Sequence, residues 1–61
     1  MTDLILEIIR ICWVKQLKFE FTQEISEGNH ASFDDGVVKV QIGDLEDRNF
    51  YNTLLHLKDS L

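Results

Sequence analysis

Three side chains in this 61-residue sequence carry the chemistry for nucleophilic or metal-assisted catalysis: the single cysteine, Cys12, and the two histidines, His30 and His56. A thiolate nucleophile needs an exposed sulfur with an imidazole within hydrogen-bond reach. Cys12 stands among isoleucines instead, and burial in such surroundings raises a thiol pKa and suppresses thiolate, so an inert buried cysteine is expected. His30 falls in a turn-rich stretch and His56 near the end of an amphipathic run. Neither has a second histidine or a cysteine three or four positions away, so the spacing forms no zinc motif.

The carboxylates allow a second chemistry. Asp34-Asp35-Gly36 puts two acids before a glycine, but that pattern forms a tight turn more simply than a cation site. Asp44, Glu46 and Asp47 lack the alternate ligands, central glycine and later glutamate of a calcium loop, and helix capping accounts for them without a metal. No phosphate-cradling glycine loop or nucleophile elbow occurs. A chain this short also has little volume for an enclosed reaction pocket. The expectation is a protein that is not an enzyme and holds no cofactor or metal.

What remains is charge. The net charge is −5 overall, and from Glu20 to Asp47 eight acids (Glu20, Glu24, Glu27, Asp34, Asp35, Asp44, Glu46 and Asp47) face one base, Lys39, a local net of −7. Such a field repels nucleic acid and attracts basic protein surfaces, which argues against direct DNA or RNA binding.

Those acids need a scaffold, and the stretch from Leu17 to Ile42 supplies one. Leu17, Phe19, Phe21 and Ile25 alternate with polar residues, as do Val38, Val40 and Ile42, giving one apolar and one wet face. Asp35-Gly36 suits a two-residue hairpin turn and places Phe33 opposite Val38 and Ala31 opposite Val40, in agreement with the hydrophobic pattern. Strands are predicted from Leu17 to about Ser26, from about Ala31 to Phe33 and from Val37 to Ile42. A loop of about three residues near Glu27-Gly28-Asn29 would keep Ile25 facing Phe33 in an antiparallel meander.

Helices are predicted on either side. Thr2 is placed to cap the first, in which Asp3, Glu7 and Arg10 form a narrow polar stripe and apolar residues cover most of the remaining circumference. That is more apolar surface than one sheet face covers, so a second contact is expected. Trp13 fills the local core on the ordinary reading; as an interface anchor it joins Leu6 and Ile9 in a homodimer surface. Gly43 ends the sheet, Asp44 is placed to cap the last helix, and Phe50, Leu54, Leu57 and Leu61 form its buried stripe. The fold expected is a single α+β domain over residues 1–61, two-layered, in the order αβββα.

A domain this small buries only roughly 60% of its unfolded surface, and one cysteine makes no internal disulfide, so association with a partner is expected to help it. The acidic start and the interruptions at Glu7 and Arg10 do not read as a secretory signal or a membrane span, and the lone thiol suits a reducing, cytoplasmic setting. In size, charge and plan the chain resembles small acidic phage proteins that block host nucleases or CRISPR effectors, a likeness of type without a shared motif. It implies an inhibitor whose carboxylates occupy the basic groove of a nucleic-acid-binding protein. The alternative is a self-associating structural or regulatory subunit built on Leu6, Ile9 and Trp13.

Overall fold

The computed structural model describes residues 1–26 and 28–61. Helix α1 (Thr2–Val14) is followed by strands β1 (Lys18–Gln23), β2 (His30–Asp34) and β3 (Val37–Ile42), then helix α2 (Arg48–Ser60). This is the expected α+β order. The apolar alternation of β3 and the stripes of the two helices meet in one core of Leu4, Ile5, Ile8 and Cys12 from α1, Val38, Val40 and Ile42 from β3, and Phe50, Leu54 and Leu57 from α2.

The hairpin forms as expected. Asp35 and Gly36 both take positive φ, 54° and 75°, the conformation of a two-residue turn matched to strand twist. Phe33 lies opposite Val38 and Ala31 opposite Val40.

The meander does not form. The strand order is β1-β3-β2, with β1 parallel to β3 and β2 antiparallel to it. A meander would put the short β2, with Ala31 and Ser32, at the centre. Instead β3 takes that place, flanked on both sides and with all three of its inward side chains buried, because the middle strand loses most water and suits the β-branched residues best. Phe19 then stands opposite Val38, and Phe21 opposite Val40.

Parallel pairing requires the chain after β1 to cross the end of β3. The segment between β1 and β2, described at residues 24–26 and 28–29, makes that crossing, so β1 ends at Gln23 rather than Ser26, and Ile25 is 88% exposed rather than facing Phe33. The crossing passes close over Gly43: a Cβ there would lie 2.7 Å from the carbonyl oxygen of Glu24 and 3.0 Å from the backbone nitrogen of Gly28. Only a residue without a side chain fits beneath backbone that near.

Both helix starts differ from the sequence reading. Thr2 is already helical; Met1 precedes the helix, with no side-chain cap, and its carbonyl accepts from the Ile5 N–H at 3.0 Å. At α2 the cap is Asp47, not Asp44: its Oδ1 accepts from the Asn49 and Phe50 N–H groups at 3.0 and 3.3 Å. Asp44 closes the preceding turn, its Oδ1 accepting from the Glu46 N–H at 2.9 Å. Helix α1 ends with Gln16 at φ 60°, the Leu17 N–H reaching back to the Cys12 carbonyl at 2.7 Å and the Gln16 N–H to that of Trp13 at 3.2 Å. That is a Schellman ending with glutamine where glycine is usual. It turns the chain straight into β1. Trp13 does not fill the core; it is 83% exposed.

Candidate functional site

The mixed sheet decides which carboxylates share a surface. Because β1 and β3 run in parallel, Glu24 and the Gly43-Asp44 turn leave the sheet at the same end, where β2 also begins. Glu24, Asp44, Glu46 and Asp47 therefore gather at this end. Asp34 and Asp35 lie at the hairpin, at the other end, a strand length of about 20 Å away and beside Lys18, whose N–H bonds to the Gly36 carbonyl. Glu20 projects from the middle of the open face, with Lys39 at 3.9 Å and both side chains largely solvated. Glu27 lies outside the described residues. The open face carries Lys18 and Lys39 as well as Glu20 and Asp34, so its charge is mixed, and the acids form two separate groups.

Asn29 ties the turn at the first group, and the sequence reading passed over it. Its Oδ1 accepts from the Gly43 N–H at 2.6 Å and the Asp44 N–H at 2.9 Å, while its Nδ2 donates to the Asp44 carbonyl at 2.8 Å and to Asp47 Oδ2 at 3.2 Å. One amide thus ties the crossing segment to the end of β3 and the start of α2. Gln41 adds a bond from its Nε2 to the Gly28 carbonyl at 3.3 Å. No periodic pattern marks Asn29. The nearest signal is its amide, able to donate and accept at once, in a turn-rich segment.

The division of labour follows. Asp47 and Asp44 hold backbone groups, whereas Glu24 and Glu46, at the same end of the sheet, are exposed. Glu24 accepts a long 3.5 Å hydrogen bond from the Ser26 hydroxyl.

The nucleophile reading finds no support in the geometry. Cys12 is 1% exposed within the core, and burial pushes its thiol pKa up. His30 and His56 are both at the surface. Among the described residues no three His, Cys, Asp or Glu side chains converge as a metal site, and no helix is long and apolar enough to cross a membrane. A shallow apolar hollow of about 220 Å³ opens on α1 beside Arg10, Ile11, Val14 and Lys15.

The third set of candidate residues, Leu6, Ile9 and Trp13, lies on the exposed side of α1. The buried Leu4, Ile5, Ile8 and Cys12 set how α1 is turned, and an exposed ion pair marks its flank toward α2: Lys58 Nζ of α2 donates to Glu7 Oε2 at 2.7 Å. That hydrogen bond, reinforced by the opposite charges, holds the Glu7 carboxyl below its ordinary pKa and raises that of the Lys58 ammonium.

Comparison with protein-family models, with curated proteins and with solved structures finds no match.

Proposed function

We propose that this chain is a small, non-catalytic protein-binding module of the cytoplasm that meets a basic protein surface through the carboxylates at the ends of its sheet. The kind of partner it suits is a nucleic-acid-binding protein or nuclease whose groove ordinarily receives phosphates, which makes the chain an inhibitor of the phage or mobile-element type. One observation supports the reading: Glu24 and Glu46 stand at the end of the sheet where the backbone is held by the Asn29 amide and the Asp47 cap. Carboxylates mounted on fixed backbone meet preformed lysines and arginines with little ordering cost, and the long-range field speeds encounter.

The test is capture of basic nucleic-acid-binding proteins from nuclease-treated lysate at low salt, with duplex DNA as competitor. Capture that DNA displaces, that salt abolishes and that Glu24→Lys with Glu46→Lys removes is the expected result. Reversing Asp34 and Asp35 instead asks whether the hairpin end takes part. Capture indifferent to both reversals, or direct binding of DNA by the chain itself, overturns the reading.

A further inference from the structure

The two edges of the sheet are not alike. Along β1 the even-numbered residues turn their backbone groups to β3: the Lys18 N–H bonds to the Gly36 carbonyl and the Glu24 N–H to the Ile42 carbonyl, both at 3.0 Å. Strand geometry then turns the N–H and C=O groups of Phe19, Phe21 and Gln23 outward, and among the described residues no strand pairs with that edge. Phe21, on the helix-bearing side, is 47% exposed.

The layer above this edge is also unfinished. Glu7 marks the flank of α1 that meets α2, and Leu6, Ile9 and Trp13 lie between roughly 100° and 160° around the axis from it, on the flank away from α2. All three are exposed. At the β2 edge the matching flank of α2, opposite Lys58, carries Asn49, Thr53 and His56. That flank of α2 is polar, although Phe33 of β2 beneath it is 40% exposed; the β2 edge lacks only the apolar helix flank that stands over β1. Natural sheets protect a bare edge with proline, a bulge or charges pointing inward. β1 has no proline, and its two charges, Lys18 and Glu20, stand on the open face, with Glu24 just past its end.

We propose that a second copy of this chain pairs with β1, antiparallel, about a two-fold axis through Phe21. In this register Phe21 exchanges backbone hydrogen bonds with the partner's Phe21, and Phe19 with the partner's Gln23, which uses the outward-facing groups of the strand. Lys18 comes opposite the partner's Glu24, an ion pair made twice, and Glu20 opposite the partner's Thr22. The alternatives fail on named residues. An axis at Glu20 sets Glu20 against itself, and one at Thr22 sets Glu20 against Glu24; like charges directly opposite are destabilising. An axis at Phe19 calls on Leu17, whose N–H is already committed to Cys12. An axis between residues sets apolar side chains against polar ones.

The same axis runs the two copies of α1 antiparallel. Leu6 and Trp13 lie three residues before and four after Ile9, so Leu6 meets the partner's Trp13 with Ile9 between. A stable interface needs roughly 800 Å² from each partner, and the strand edge joined to the exposed Leu6, Ile9 and Trp13 is the apolar surface the pairing would cover. The dimer also carries the Asp34-Asp35 hairpin of one copy to the end of the sheet that holds Glu24 and Glu46 of the other. The two acidic groups separated within one chain thereby align across the pair.

Sedimentation equilibrium of the full chain alone, with Trp13 emission followed in parallel, tests this independently of any basic partner. A concentration-dependent dimer in the micromolar range is expected, with Trp13 emission moving to shorter wavelength as it forms. Glu24→Lys and Lys18→Glu should each weaken it about tenfold or more, and the two together should restore it. Gln23→Pro, which removes an outward N–H and no internal bond, should give a folded monomer. A chain monomeric at millimolar concentration overturns the proposal. So does a charge-swapped double variant that fails to recover, or a dimer that survives Gln23→Pro with native circular dichroism. If Gln23→Pro does not fold, the charge series decides alone.

Discussion

Replacing Asn29 by alanine removes four hydrogen bonds with one substitution. Two of them, from the Gly43 N–H and to Asp47 Oδ2, are partly buried, whereas the two to Asp44 are exposed and water replaces them readily. At about 1 kcal/mol for each partly buried bond and a fraction of that for the others, the loss is about 2–3 kcal/mol. A chain of this size has a total stability of roughly 3–9 kcal/mol, so the change is a large share of the whole. It corresponds to a fall in Tm of about 10–20 °C, readable by far-UV circular dichroism with urea titration as a check. Asn29→Asp refines the test. It keeps the acceptor for the Gly43 N–H but sets a second carboxylate against Asp47, so its penalty should be largest at neutral pH and shrink in acid, where protonating one of the two restores a donor. If Asn29→Ala stays within about 0.5 kcal/mol of the parent, the amide does not hold the crossing segment, and the account of the parallel β1 placement fails.

Other consequences are equally direct. Gly43→Ala forces a methyl against the Glu24 carbonyl and the Gly28 backbone, and should cost about 1–3 kcal/mol in urea unfolding, as overpacking does. Gln16→Gly relieves the left-handed strain at the end of α1 and should raise stability by up to about 1 kcal/mol after the added freedom of the unfolded chain is set against it. The Glu7–Lys58 pair should stabilise only between two limits of pH. The Glu7 carboxyl is held low, so its contribution is present above the unfolded carboxylate pKa and lost as pH falls through the folded value. The Lys58 ammonium is held high, so its contribution is present below its unfolded pKa and lost as pH rises through the folded one. The Tm difference between the parent and Glu7→Gln should therefore be small at neutral pH, smaller still in high salt, and absent at both extremes.

Much of this architecture can be read along the chain. The stripe Phe50, Leu54, Leu57, the alternation Val38, Val40, Ile42 and the Asp35-Gly36 turn are local patterns, and each appears where its period or turn chemistry requires. The candidate site was less legible. Eight acids in one sequence segment suggested a common surface, yet Asp34 and Asp35 lie a strand length from Glu24 and Glu46. The amide that ties the turn at that end, Asn29, belongs to no repeat.

By itself the sequence determined the elements, the apolar side of each and the register of β2 on β3, because neighbouring residues carry that information through side-chain period and backbone preference. Only the tertiary structure decided that β1 runs parallel to β3 at an edge. Alternation is the same in either direction, so the choice falls to which strand can be buried on both flanks and to whether the chain can cross above Gly43. That choice also parted the acids and left Phe21 exposed at an edge, since both follow from strand order, which no local pattern encodes.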